Sequence, residues 1–69
     1  MRMNKVERQF SYLVGVGIER FVLERHVVEA SNQANAYYAA MKFMHPDKGY
    51  DYITVIKRLT KAEAAKYER

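Results

Sequence analysis

The sequence predicts an α+β fold of order ββαβ: a β-hairpin, one main α-helix and a third β-strand, followed by a short C-terminal helix. A three-stranded sheet then carries the main helix on one face. Three observations lead there. Apolar residues alternate with period two from Phe10 to Val16, and a run from Asn32 to Met44 free of Gly and Pro repeats its apolar positions three and four residues apart. The run from Tyr52 to Ile56 is again aromatic and β-branched.

The hairpin is built from the first alternation. Phe10, Tyr12, Val14 and Val16 fall on one face of an extended chain, and Ser11, Leu13, Gly15 and Gly17 on the other. Gly15 and Gly17 weaken such a strand and mark a bulge or a close approach of another backbone. The segment Gly17-Ile18-Glu19-Arg20 turns the chain, and Phe21 to Ala30 returns as an antiparallel partner. This second strand is not cleanly two-faced. Phe21, Leu23 and Val27 share one side with Arg25, whereas Val22, Val28 and Ala30 share the other with Glu24 and His26. A bulge near Arg25 or His26 is therefore expected.

Ser31 and Asn32 are both capping residues, whose side-chain oxygen accepts an orphan N–H of the first helical turn. Ala36, Ala40 and Phe43, with Tyr37 and Met44 beside them, form the inward face, and small Ala36 and Ala40 allow close packing on a sheet. Pro46 disfavours helical geometry at His45, and Gly49 supplies a left-handed turn, so the helix is expected to stop within a residue or two of Met44. Strand character resumes over Tyr50 to Leu59. Thr60-Lys61-Ala62-Glu63 then has the form of a capping box that opens a short helix. The expected organisation is an N-terminal arm over residues 1–8, a single domain over 9–60 and a terminal helix over 61–69.

With 69 residues the chain makes one domain, which buries only about 60% of the surface of its unfolded form and leaves no room for a deep enzyme cleft. Hydrophobic residues at 49% supply a core. The absence of cysteine excludes disulfides, a thiolate nucleophile and a Cys-type zinc site, and suggests a cytoplasmic site of action. Glu7, Arg8 and Gln9 interrupt the N-terminal region, so no signal peptide or membrane span is expected. The net charge of +4 is carried at the ends. Arg2, Lys5 and Arg8 face only Glu7 in residues 1–8, and six cations face Asp51, Glu63 and Glu68 in residues 48–69, while residues 9–47 are slightly acidic. Basic ends favour an acidic partner, either a protein surface or nucleic acid.

No catalytic residues, metal site or cofactor are expected. His26 and His45 lack a cysteine or an acidic neighbour at metal-ligand spacing, and Val14-Gly15-Val16-Gly17 lacks the lysine of a phosphate loop. The candidate partner-binding residues are Tyr50 and Tyr52 at the start of the last strand, Lys57 and Arg58 near its end, and Lys61 beyond it. Aromatic and cationic side chains on an exposed sheet stack bases and hold phosphates, so a small nucleic-acid-binding module is an alternative to a protein-binding one. A guarded strand edge would use the same cations.

Two family resemblances bear on function. His45-Pro46-Asp47, with Ala36-Tyr37 before it and Lys48-Gly49 after it, resembles the loop of J-domains, the co-chaperones of Hsp70. That resemblance implies an all-helical fold and contact of His45, Pro46 and Asp47 with the chaperone. The second resemblance covers Phe10 to Arg58. Ala30, Ala36, Pro46, the Gly49-Tyr50-Asp51 turn and Ile53-Thr54-Val55-Ile56-Lys57-Arg58 are similar to the small phage-encoded inhibitors of bacterial RNA polymerase, the family of the T-odd phage gene 2 protein. It implies a hairpin, helix and strand in this order, no enzymatic activity, action in the host bacterial cytoplasm and inhibition of transcription. In that family two arginines two apart on the last strand meet acidic residues of the polymerase. Here Lys57 or Arg58 stands at one of those positions and Val55 or Ile56 at the other.

Overall fold

A computed structural model describes residues 8–67. Strand β1 (Phe10–Ile18) and strand β2 (Phe21–Ala30) form the hairpin, followed by helix α1 (Gln33–Ala40), strand β3 (Tyr52–Leu59) and helix α2 (Lys61–Tyr67). The chain is the α+β ββαβ fold with a terminal helix. All but Arg8 of the expected N-terminal arm, and the last two residues of the expected terminal helix, lie outside the described residues.

The sheet order is β2-β1-β3, with β1 antiparallel to both neighbours. Strands β2 and β3 therefore run parallel with β1 between them, and the connection through α1 crosses the central strand. Both β2 and β3 are edges. The alternation of β1 is the one its sequence requires. Tyr12, Val14 and Val16 are buried, and Tyr12 and Val14 meet Val28, Ala30, Ala36 and Ala40, with Phe43, Ile53 and Val55 packed around them. Ala36 and Ala40 are fully buried, so the absence of larger side chains lets the helix lie close on the sheet. Tyr37, expected beside that face, is 41% exposed.

The other face is not left wholly open. Leu13, Val27, Leu59 and Ala64 form a second, smaller cluster under α2. Its capping box is complete: Glu63 N–H donates to Thr60 Oγ1 at 3.2 Å, and Thr60 N–H donates to Glu63 Oε1 at 3.0 Å.

The hairpin turns at Glu19 and Arg20, whose φ angles of 55° and 89° are both left-handed. Two such residues give the twist that suits antiparallel strands, but neither side chain favours the conformation. Asp51 braces the turn from outside. Its carboxylate Oδ1 accepts Glu19 N–H at 2.9 Å, and its own N–H donates to Gly17 O at 2.9 Å.

The bulge expected near Arg25 or His26 lies instead at Leu23, since Val16 pairs with Glu24 and Gly17 with Val22. The cause is Gly17. A Cβ there would stand 1.8 Å from Phe21 O and 2.9 Å from Leu23 N, so this backbone closes on β2 only because Gly17 has no side chain. A second bulge, not expected, falls at Ile56, between the pairs Leu13–Lys57 and Val14–Val55.

Asn32 caps α1, accepting Asn35 N–H at 2.8 Å. The α-helix proper ends at Ala40 and tightens into a 3-10 turn over Met41–Phe43, earlier than the expected end near Met44. A second 3-10 turn over Pro46–Lys48 closes on Gly49, which takes φ 76°. The third strand starts at Tyr52, two residues later than the sequence suggests.

Candidate functional site

Period-two spacing on β2 puts Glu24 and His26 on the same face, and the Pro46–Lys48 turn carries His45, Lys48 and Tyr50 up to them. His26 Nε2 donates to Glu24 Oε1 at 2.9 Å, and the Tyr50 hydroxyl donates to Glu24 Oε2, also at 2.9 Å. His45 Nε2 lies 3.8 Å and Lys48 Nζ 3.7 Å from the same carboxylate. The His26 ring stacks on Phe43 at 3.7 Å, and the His45 ring meets Tyr50 edge-on at 5.4 Å. Four polar tips thus converge on one half-buried carboxylate.

The electrostatics follow from that convergence. The hydrogen bond from His26, then that from Tyr50, hold the Glu24 carboxyl below its ordinary range despite partial desolvation. The bond to Glu24 pushes the Tyr50 phenol above its usual value, because ionisation would set two anions together. Among the described residues no set of three or more His, Cys, Asp and Glu side chains is arranged to hold a metal ion. Chemically the cluster is a brace between β2 and the loop after α1, with its hydrogen-bonding capacity directed inward.

Sequence reasoning set the two histidines aside for want of an acidic partner, and the structure supplies Glu24. The signal was present in the i, i+2 spacing of Glu24 and His26. Only the fold, however, could bring His45 and Tyr50 to the same point.

The five residues singled out as partner contacts are not on one surface. Tyr50 is engaged in the Glu24 brace. Tyr52 is half-buried at the start of β3, paired with Gly17 on the face away from α1. Lys57 lies five residues further along, about 16 Å at strand rise, where its Nζ pairs with Glu63 at 2.9 Å. That contact, after the Thr60 N–H, keeps the Glu63 carboxyl below its ordinary range. Arg58 points to the α1 side, its guanidinium 4.5 Å from the centre of the Phe10 ring. Lys61 is exposed at the start of α2.

Arg58 and Lys61 do belong to a common end of the molecule, and Arg8 joins them. The Arg8 guanidinium stands 5.4 Å from the same Phe10 ring. Arg8, Phe10, Leu59 and Lys61 line a groove of about 450 Å³, with Glu29 the one acidic side chain among the described residues that line it. Here two guanidinium groups approach one aromatic ring, and Lys61 lines the same groove. Sequence reasoning passed over Arg8 and Phe10, since one was assigned to the arm and the other to a face of the first strand.

No protein-family model, curated protein or solved structure matches this chain. Among the described residues no helix is long and apolar enough to cross a membrane. The sheet at the centre of the fold is unlike the all-helical architecture that the His45-Pro46-Asp47 resemblance implies.

Proposed function

We propose that this protein is a small binding protein that docks on an acidic surface of a host protein, bacterial RNA polymerase, and inhibits transcription by steric and electrostatic obstruction. The observation that carries this reading is the cationic end built around Phe10. The guanidinium groups of Arg58 and Arg8 both approach the ring, and Arg8 and Lys61 line the groove beside it, so exposed planar guanidinium groups are available for bidentate contact with carboxylates. The choice of polymerase rests on the resemblance of Phe10 to Arg58 to the phage inhibitors, and the hairpin, helix and strand order agrees with what that resemblance implies.

The reading also fits where polar chemistry is placed. The Glu24 cluster satisfies itself, and among the described residues that line it the groove beside α1 has no ionisable acid or base other than tyrosine. Of the five sequence-selected residues, Arg58 and Lys61 become the principal contacts. Lys57 is instead engaged by Glu63, and Tyr50 by Glu24.

Tagged protein immobilised in bacterial lysate should retain polymerase subunits, and purified protein should inhibit promoter-dependent transcription. R58E/K61E should lose both effects while keeping the parent circular dichroism spectrum. Failure to recover any polymerase subunit sinks the proposal. An aromatic ring with two guanidinium groups near it also suits a nucleobase. Oligonucleotide binding that weakens steeply with salt, without polymerase retention, would replace the protein target by nucleic acid.

A further inference from the structure

We propose that Glu29 is the specificity-determining residue of the cationic groove, where it turns nucleic acid away and leaves the groove to an extended polypeptide segment. The inference rests on the reading of this end as the docking site, and it names the class of partner that enters. The strand register places the residue. Glu29 and Leu59 are both cross-strand partners of Ser11, one on each side, so the three form a row on the sheet face that carries α2. Adjacent strands lie about 4.8 Å apart, which sets Glu29 and Leu59 about 10 Å from one another across β1. Lys61 follows Leu59 by two residues and Arg8 precedes Ser11 by three, and all of them line the groove of about 450 Å³. The groove therefore has a carboxylate on its β2 side and cations on its β1 and α2 sides.

The side chains that meet there are exposed at Arg8, Glu29 and Lys61. Among the described residues the carboxylates in ion pairs are those of Glu24 and Glu63. Glu29 thus faces the groove without a cation bound to it, and a ligand entering the groove meets its full charge.

That charge acts differently on the two classes of ligand that cations and an aromatic ring attract. A nucleic-acid strand repeats its phosphate at every nucleotide, about every 3.4 Å of axis along each strand of a duplex. A strand held at Arg8 and Lys61 brings a further phosphate to Glu29 within a groove only about 10 Å across. Like charges set together in this way are how an interface rejects a wrong partner. A polypeptide escapes the conflict. Its carboxylates fall only where its own sequence puts them, and every residue but proline has a backbone N–H that Glu29 can accept. Phe10 and Leu59 give apolar side chains of such a segment a surface to lie on.

Fluorescence anisotropy of a labelled single-stranded oligonucleotide, titrated with the full chain from about 0.1 M salt upward, tests the inference. The parent should bind weakly. E29Q should bind about fivefold to tenfold more tightly. E29K should bind more tightly still, and its log affinity should fall more steeply with log salt by a slope of about one. E19Q and E19K make the same charge changes at the tip of the hairpin, about 26 Å along β1 from Ser11, well beyond the screening length of about 10 Å. Glu19 gives only its backbone N–H to the turn, and both variants should stay within about twofold of the parent. Circular dichroism establishes that each variant is folded. A parent that binds as tightly as E29Q overturns the proposal, and so do Glu19 variants that gain as much as the Glu29 variants. Polymerase retention by the parent is a separate measurement: its failure refutes the target named above, while the oligonucleotide comparison still decides the role of Glu29.

Discussion

Gly17→Ala should be among the most damaging single-methyl additions in the molecule, and Gly15→Ala two residues away should be mild. The two glycines lie on the same face of the same central strand and differ in what a Cβ would meet. At Gly17 it would stand 1.8 Å from Phe21 O and 2.9 Å from both Phe21 C and Leu23 N, all backbone. Relief requires the chain at Phe21–Leu23 to retreat by more than an ångström, and this is the bulge that sets the register of the whole hairpin. Overpacking of this kind costs about 1–3 kcal/mol, and each ladder hydrogen bond lost with the retreat adds about 1 kcal/mol. The sum is about 3–5 kcal/mol, against a total stability of about 3–10 kcal/mol for a chain of this length.

At Gly15 the added methyl would meet Val22 Cγ1 at 2.7 Å, Val22 Cγ2 at 3.1 Å and Ile56 Cδ1 at 3.3 Å. These are side-chain atoms rather than backbone, and Val22 is only half-buried. Moving it off its rotamer costs about 0.5–1.5 kcal/mol, while restricting the unfolded chain returns about 0.4–1 kcal/mol. The net change should lie within about 1 kcal/mol. Urea denaturation followed by circular dichroism measures both. With a slope of about 1 kcal/mol/M, Gly17→Ala should lower the midpoint by about 3 M or abolish the transition, and Gly15→Ala should move it by about 1 M or less. A Gly17→Ala variant within 1 kcal/mol of the parent, or a Gly15→Ala variant that is the worse of the two, would refute the assignment of the bulge to Gly17.

Two further outcomes are expected. Replacing Glu19-Arg20 by Asn-Gly keeps the backbone N–H that donates to Asp51 and removes two left-handed non-glycine residues, which should raise the urea midpoint by the equivalent of about 1–2 kcal/mol. Glu24 has a folded-state pKa below its unfolded value of 4.5, so its contribution is complete above that pH and is lost as pH falls through the lower folded value. Glu24→Gln should therefore flatten the acid limb of the stability profile below pH 4.5, and Tyr50→Phe, which removes one of the two bonds to the carboxylate, should shift that limb to higher pH.

The parts of this fold that local chemistry governs were legible in the sequence. Alternation placed Tyr12, Val14 and Val16 on one face, Asn32 and Thr60 were readable as caps, and Pro46 and Gly49 as a stop. Each of these works within a few residues of itself. The bulge at Leu23 was misplaced because its cause lies across the turn: Gly17 makes the irregularity, but β2 displays it. The bulge at Ile56 and the packing of Leu13, Val27 and Leu59 under α2 depend on contacts between segments far apart in the chain. The same holds for the candidate sites. Lys57 and Arg58 are adjacent in sequence, yet the strand sends them to opposite faces, one to Glu63 and the other to Phe10. Arg8 and Lys61 are 53 positions apart and line one groove.

The His45-Pro46-Asp47 tripeptide shows how a local motif is reinterpreted by such contacts. Pro46 opens a 3-10 turn, and Gly49 closes it with a left-handed residue. This short reversal delivers Tyr50 to Glu24, and His45 lies edge-on against Tyr50 on the way. Asp51 follows at once and holds the β1–β2 turn through Glu19 N–H and Gly17 O. Seven residues therefore tie the loop after α1 to the middle of β2 and to the tip of the hairpin. A histidine, a turn-forming proline and a helix-breaking glycine meet those structural demands without a chaperone partner. On this argument, His45→Gln should be read out in the stability of the hairpin, whereas loss of partner binding should follow substitution of Arg58.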